Sequence, residues 1–158
     1  MMDTFWTWLG QLPHAVLLQR SGTTYLLVNA AHIAALGMLI GSIVSLDLRL
    51  LGRFRAVPLA VLGPFLSRMA AWGLGLAVVT GFLLFSVRPA EYADNIAFLC
   101  KLGLVAVATL NAWAVHAGPR WQRALAADQA SMGLRLQALG SIVLWLAAVV
   151  AGRWIGFL

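Results

Sequence analysis

The residues able to do chemistry in this chain are few, and most stand inside stretches that are otherwise apolar. Tyr25, Asn29 and His32 fall within one such stretch, Cys100 and Lys101 within another, and Arg153 closes the last. Asp47, Arg68 and His116 mark the opposite ends of the same stretches. Placed at ~100° per residue on a helix, Tyr25, Asn29, His32 and Asp47 share one side of the first stretch. His32 lies seven residues beyond Tyr25, which is ~10 Å of helix. Lys101 sits at a comparable depth in its own stretch, and Arg153 returns to the same side. A histidine, a lysine and an arginine converging from three helices require an anion or a carboxylate between them. Glu91 and Asp94 in the neighbouring loop are internal partners for that charge, and a bound anionic or carbonyl ligand is the external one. The expected ligand site is therefore His32 as ligand or hydrogen-bond partner, Lys101 and Arg153 as fixed positive charge, and Asn29 and Tyr25 as orienting groups. At the other end, Asp47 and Arg68 are expected to pair and close the ends of the first two helices.

Several chemistries compete for these residues. A b-type haem needs axial ligands at one depth. His116 follows Ile96 by twenty residues, ~30 Å of helix, and so lies ~20 Å from the level of His32. His14 reaches His32 only if the N-terminal segment folds back over the bundle. A quinone needs less, since His32, Tyr25 or Asn29 can bond a carbonyl while Lys101 or Arg153 favours the reduced anion. Copper would call on His32 and Cys100, a thin ligand set without a CxxC, MxxM or His-rich tract. Soluble-type catalysis finds no nucleophile elbow, P-loop, HExxH or paired carboxylates. Gly73-Leu-Gly75 lacks the strand context of a dinucleotide fingerprint, and Asp128 reads as a solvated loop residue. The balance leans away from an enzyme.

The elements that must position these groups follow from composition. Of 158 residues, 62% are hydrophobic and 10% charged, and the mean hydropathy is +0.90. Soluble domains are nearer half apolar and a quarter charged, so a soluble enzyme and a disordered chain are both excluded. One cysteine excludes an internal disulfide framework. Runs of about 20 apolar residues can cross a bilayer, and four are present, at about 23–46, 64–87, 96–118 and 136–152. Nothing alternates with the period of a barrel strand. The expected fold is all-α, a single polytopic membrane four-helix bundle over residues 1–158. Residues 5–18, interrupted by Pro13 and carrying Trp6 and Trp8, read as a short N-terminal interfacial helix.

Arg49, Arg53 and Arg55 follow the first span, and Arg120, Arg123 and Arg135 follow the third. The positive-inside bias places those loops in the cytoplasm and both termini outside. The net charge of +6 then reflects topology and anionic headgroups rather than nucleic acid. Opposite the polar side of span one, Ala30, Ala34, Gly37, Gly41 and Ser45 form a small-residue face suited to close packing or to an oligomer seam.

The run from His32 through Gly37 to Gly41, followed by Asp47-Leu-Arg-Leu-Leu-Gly52, resembles an uncharacterised family of small four-span bacterial inner-membrane proteins, a domain of unknown function. Trp72 to Gly81 with Phe85, Ala97-Phe98 with Lys101, Asn111-Ala112 to His116 and Gly152-Arg153-Trp154-Ile155 fit the same pattern, so the likeness runs from Trp6 to the C-terminus. Span one also resembles, loosely, copper-resistance-D-type membrane proteins, in which a histidine precedes a Gly-rich helix. The resemblance implies a multi-pass protein of the bacterial inner membrane and no reaction. The expectation is a non-catalytic accessory or small-ligand-binding subunit, embedded in the lipid bilayer as a homo-oligomer or part of a membrane complex. Electron transfer through haem b or quinone is the first alternative, and copper handling or transport the second.

Overall fold

The computed structural model describes residues 2–157, with side chains from Thr4 onward. Two short helices, α1 (Met2–Gly10) and α2 (Pro13–Arg20), precede α3 (Gly22–Leu50) and α4 (Leu59–Phe85). A single-turn helix α5 (Pro89–Asp94) leads to α6 (Ile96–Ala117), then α7 (Pro119–Ala127) and α8 (Met132–Trp154), which ends in a 3₁₀ turn at Ile155–Phe157. No strand occurs among the described residues. The protein is all-α, and four helices, α3, α4, α6 and α8, are long and apolar enough to cross a membrane. Most of each span faces outward, as expected where lipid is the solvent and helices satisfy their own backbones.

Local chemistry sets where the spans begin. Ser21 accepts from the Thr24 N–H at the start of α3, Asn95 from Phe98 N–H at the start of α6, and Ser131 from Leu134 N–H at the start of α8. Each is an N-cap that satisfies a donor left free by the first helical turn. The start of α4 differs: Pro58 has no side chain able to cap. The missing acceptor comes instead from Asp128, between α7 and α8, whose Oδ1 accepts from Leu59 N–H at 2.6 Å.

Helix α4 begins five residues before the expected span and runs through Pro64. A proline so near a helix start deletes only one backbone bond. Leu59 is fully buried and Gly63 packs under Trp121, so tertiary contacts hold that turn. The N-terminal segment is two helices instead of one, broken before Pro13, which takes the first position of α2. Gln19 Nε2 ties this segment to the α4–α5 end of the bundle by donating to the carbonyls of Gly10 and Val87 at 3.1 and 3.0 Å.

The spans are arranged in the order α4, α3, α8, α6. α3 packs closely on α4 because Gly73 lacks a side chain: a Cβ there would stand 2.7 Å from the Leu39 backbone nitrogen. The small-residue face of α3 is not that surface, since a Cβ on Gly37 or Gly41 would meet nothing within 4 Å. α4 and α6 are not packed along their lengths. They are bridged at one end by the stacked rings of Phe85 and Phe98, 5.4 Å apart, and at the other by Ser67 and His116. Next to the Ser67–His116 bridge the helices leave a cavity.

Candidate functional site

A cavity of about 290 Å³ lies among α3, α4, α6 and α8, towards the end that carries the basic loops. It extends from Asp47 and Leu50 to Leu39, eleven residues or ~16 Å along α3. The walls are mainly apolar, but polar groups recur at helical spacing. Asp47 comes from α3, Ser67 from α4, Thr109 and His116 from α6, and Gln137, Ser141 and Trp145 from α8. Trp113, 71% exposed, lines the same space from α6, so the cavity has an edge on the lipid-facing surface.

Most of these polar groups already have partners. Ser67 Oγ contacts the Gly63 carbonyl at 2.8 Å and Thr109 Oγ1 donates to the Val105 carbonyl at 2.8 Å, each one turn back on its own helix. Asn111 Nδ2 donates to the Gln137 carbonyl and ties α6 to α8. A carbonyl only accepts, so His116 Nδ1 carries a proton and donates to Ala112 at 2.7 Å. His116 Nε2 meets Ser67 Oγ at 2.8 Å, and the ring packs 4.6 Å from that of Trp121. Both imidazole nitrogens are engaged, which leaves no free position on His116 for a ligand.

Two groups differ. Asp47 is 6% exposed and its Oδ2 has no hydrogen-bond partner; Trp145 is 2% exposed and its Nε1–H has none either. A buried polar group without a partner costs on the order of 1–3 kcal/mol, more when charged. Asp47 faces Ser141 on α8, and Trp145 follows Ser141 by one helical turn. Both residues are among those lining the cavity, but these two atoms have almost no surface open to it.

The expected Asp47–Arg68 pair does not form. Arg68 is exposed, and the ion pairs among the described residues are Arg49–Asp128 and Arg88–Glu91. Arg49, expected in a solvated basic loop, is 3% exposed. Its Nη2 donates to both oxygens of Asp128 at 2.8 and 2.9 Å, and its Nε donates to the Val57 carbonyl. Asp128 is therefore no idle loop residue. It holds the left-handed backbone conformation, with φ 53°, joins the α3 and α4 ends to the α7–α8 turn, and caps α4. The Leu59 N–H first, and then the Arg49 guanidinium, hold its carboxyl below the ordinary carboxylate range.

At the opposite end the expected residues are only partly brought together. His32 Nδ1 bonds Thr80 Oγ1 at 2.8 Å, and its ring lies over Gly81, where a Cβ would approach Cε1 to 3.1 Å. Lys101 is near enough for its charge to act on His32, and its stem lies along Gly152. Arg153 does not join them: it is exposed, with its guanidinium carbon 4.7 Å from the Phe157 ring centroid. Asn29 is also exposed. Tyr25 meets Tyr92, whose hydroxyl burial and the neighbouring Tyr25 push above its ordinary range. Glu91 pairs with Arg88 at 3.3 Å rather than with Lys101.

α2 does fold back on α3 and α4, which sets His14 beside Phe82 with its Nε2 buried and unpartnered. The partners of His32 and His116 on α4, Thr80 and Ser67, are thirteen residues or ~20 Å apart, so those two histidines serve opposite ends of the bundle. Cys100 is exposed. Among the described residues no three His, Cys, Asp or Glu side chains come close enough to hold a metal ion.

Residue-by-residue reading missed Ser141, Trp145 and Thr109, and the signal was present. Gln137, Ser141 and Trp145 recur at four-residue spacing on one face of α8, while Thr109, Ala112 and His116 follow at spacings of three and four on α6.

Fold and cavity together define a membrane protein with four helices able to span, and a mainly apolar cavity between them that carries a few polar residues. The chain belongs to DUF6644, a family of unknown function, whose pattern it matches over residues 9–158. No curated protein and no solved structure matches it.

Proposed function

We propose that this protein is a non-catalytic small-ligand-binding subunit of the bacterial inner membrane, and that its site is the cavity between α3, α4, α6 and α8. One observation carries the reading: the four spans enclose a mainly apolar cavity whose wall includes the polar residues Asp47, Ser67, Thr109, His116 and Ser141. Polar residues retained inside a bundle mark ligand or ion sites. A concave, mainly apolar space with a few polar anchors is the usual form of a small-molecule site. The gap between α4 and α6 offers entry from the bilayer. By the distribution of arginines the cavity lies in the cytoplasmic half and both termini face the periplasm, which reporter fusions at the C-terminus test. Association with a further copy or a partner subunit accords with the open small-residue face of α3.

Ligand occupancy stabilises a fold in proportion to the logarithm of ligand excess over Kd. Titrating 1-phenylethanol and 2-phenylethylammonium into the detergent-solubilised protein should raise its Tm. In an Ala70→Leu variant, which fills the cavity from α4, the rise should vanish. Equal rises in both proteins, or none in the wild type, would dismiss the cavity as a ligand site.

A further inference from the structure

We infer that the protein has a second ligand site at the end opposite the basic loops, where the Lys101 ammonium and His32 Nε2 take the carboxyl group of a single-tailed amphiphile such as a fatty acid.

Both side chains are seated where a neighbouring helix has no side chain of its own. The His32 ring from α3 lies over Gly81 of α4. The Lys101 stem from α6 lies over Gly152 of α8, with its ammonium 3.6 Å from where a Cβ would stand. The stacked rings of Phe85 and Phe98 set the register of α4 against α6. Gly81 is four residues inside Phe85 and Lys101 three inside Phe98, ~6 and ~4.5 Å at ~1.5 Å per residue. The two groups are therefore level, just inside the ring bridge, where α4 and α6 are not packed. They are near enough for the Lys101 charge to act on His32.

Hydrogen bonding fixes what each group offers. Thr80 has one hydroxyl proton, which goes to the Leu76 carbonyl at 2.6 Å. Its oxygen therefore accepts from His32 Nδ1–H at 2.8 Å, and Nε2 is left as the bare nitrogen of the neutral ring. The Ala77 carbonyl also neighbours the ring, and it too only accepts. Among the described residues the sealed, unpartnered side-chain atoms are His14 Nε2, Asp47 Oδ2 and Trp145 Nε1. His32 Nε2 and the Lys101 ammonium have no hydrogen-bond partner and are not among them, so both keep surface open to a ligand.

Lys101 has no counter-charge among the described residues. Glu91 is taken by Arg88 and Asp128 by Arg49, while Asp94 is exposed and makes no ion pair. A cation inside an apolar span draws an anion. A bare nitrogen beside an ammonium suits a carboxylic acid in particular. The acid O–H gives its proton to His32 Nε2, and the resulting carboxylate accepts from Nε2–H and from the ammonium. Phe82, Leu99 and Leu102, exposed at this level, offer apolar surface to the tail.

The test follows the Tm of the intact protein in dodecyl maltoside at neutral pH during titration with decanoate, 1-decanol and acetate, whose concentration dependence yields Kd. Decanoate should bind the wild type about tenfold tighter than decanol, the margin expected of one charge-assisted bond, and acetate should have no effect. Lys101→Met should erase the margin, Lys101→Arg should retain most of it, and His32→Phe should reduce it. Ala70→Leu, which fills the other cavity, should leave it intact. Wild-type ranking alone decides the matter if Lys101→Met fails to fold. A decanol response equal to that of decanoate would overturn the carboxylate assignment, and an equal acetate response would overturn the amphiphile. Loss of the margin in Ala70→Leu would overturn the second site, whereas failure of that variant to block 1-phenylethanol would dismiss only the cavity.

Discussion

The two ends of the bundle are built from similar residue types and differ in how those residues are used. At the basic-loop end, buried hydrophobics from α3, α4, α6, α7 and α8 form one continuous core around Leu59, Leu134 and Trp121. A buried arginine, an aspartate in the left-handed conformation and an uncapped helix start close over it in one hydrogen-bonded knot. At the other end the packing is mostly rings meeting rings, Trp6 on Phe85 and Phe85 on Phe98 and Tyr92. There an open groove of about 440 Å³, lined by Trp6, Gln19, Arg88 and Glu91 among others, lies beside an exposed ion pair. At the first end the buried Arg49 is locked onto Asp128, whereas the ion pair of the second end, Arg88 with Glu91, is exposed. Among the described residues, buried polar atoms without a partner occur on both sides of the contrast, Asp47 Oδ2 and Trp145 Nε1 beside the cavity and His14 Nε2 at the ring-packed end.

That contrast fails first if the core under α7 is unimportant. Trp121→Ala should cost about 3–5 kcal/mol by chemical unfolding in detergent, the range for emptying a buried aromatic site. Trp72→Ala, at a residue 70% exposed, should cost little by the same measurement. Gly73→Leu should come next, at about 2 kcal/mol or more from overpacking against the α3 backbone, whereas Gly37→Ala, on open helix surface, should be neutral or slightly favourable. A comparable loss in both would show that α3 is enclosed on its small face as well.

The Asp128 knot sharpens the comparison further. Asp128→Ala should lower Tm more than Asp128→Asn, because asparagine retains an oxygen for Leu59 N–H and loses only the charge on Arg49. The pH dependence has a defined sign. A carboxyl held below its unfolded value of 3.8 contributes stability that is complete above that value. The contribution is lost as the pH falls from 3.8 through the lower folded value. The Tm difference between wild type and Asp128→Asn should therefore be constant near neutrality and shrink below about pH 4. A difference that widened on acidification would remove Asp128 from its capping role.

The smallest effect should come from the far end. His32→Ala deletes one neutral hydrogen bond, worth about 1 kcal/mol, and Thr80 keeps the Leu76 carbonyl as a partner. The Tm rise with 1-phenylethanol should be unchanged in that variant and lost in Ala70→Leu. The reverse pattern would move the ligand site to the end that holds His32 and Lys101.

Much of this fold is legible in the chain. The spans, their helical character and their approximate bounds follow from apolar runs too long for anything but membrane helices. The first and third spans begin within a residue of the expected bounds, whereas α8 begins at Met132, four residues before the expected start, where Ser131 caps it. The N-terminal segment is legible as short and apolar, and its break at Pro13 is visible in the sequence. α7 was the missed element, although Trp121, Ala124 and Leu125 recur at helical spacing just after a proline suited to a helix start.

The candidate site was less legible, because charge type and depth do not determine pairing. Asp47 and Arg68 are level by residue counting, yet one points into the bundle and the other out of it. Arg153 has the right depth to join Lys101 and folds over Phe157 instead. Asp128 gives no local signal of its role, since its partners Arg49 and Leu59 are 79 and 69 residues away.

The sequence by itself determined the solvent of this protein, the number of its crossings and the positions of most helix ends, because hydrophobic length and capping are local properties. Only the tertiary structure decided which helices touch. Gly73, not Gly37 or Gly41, sets the close crossing, and α4 and α6 stand apart with a chamber between them. It alone singled out Asp47 and Trp145, since whether a polar group is satisfied depends on neighbours that the fold brings from distant parts of the chain.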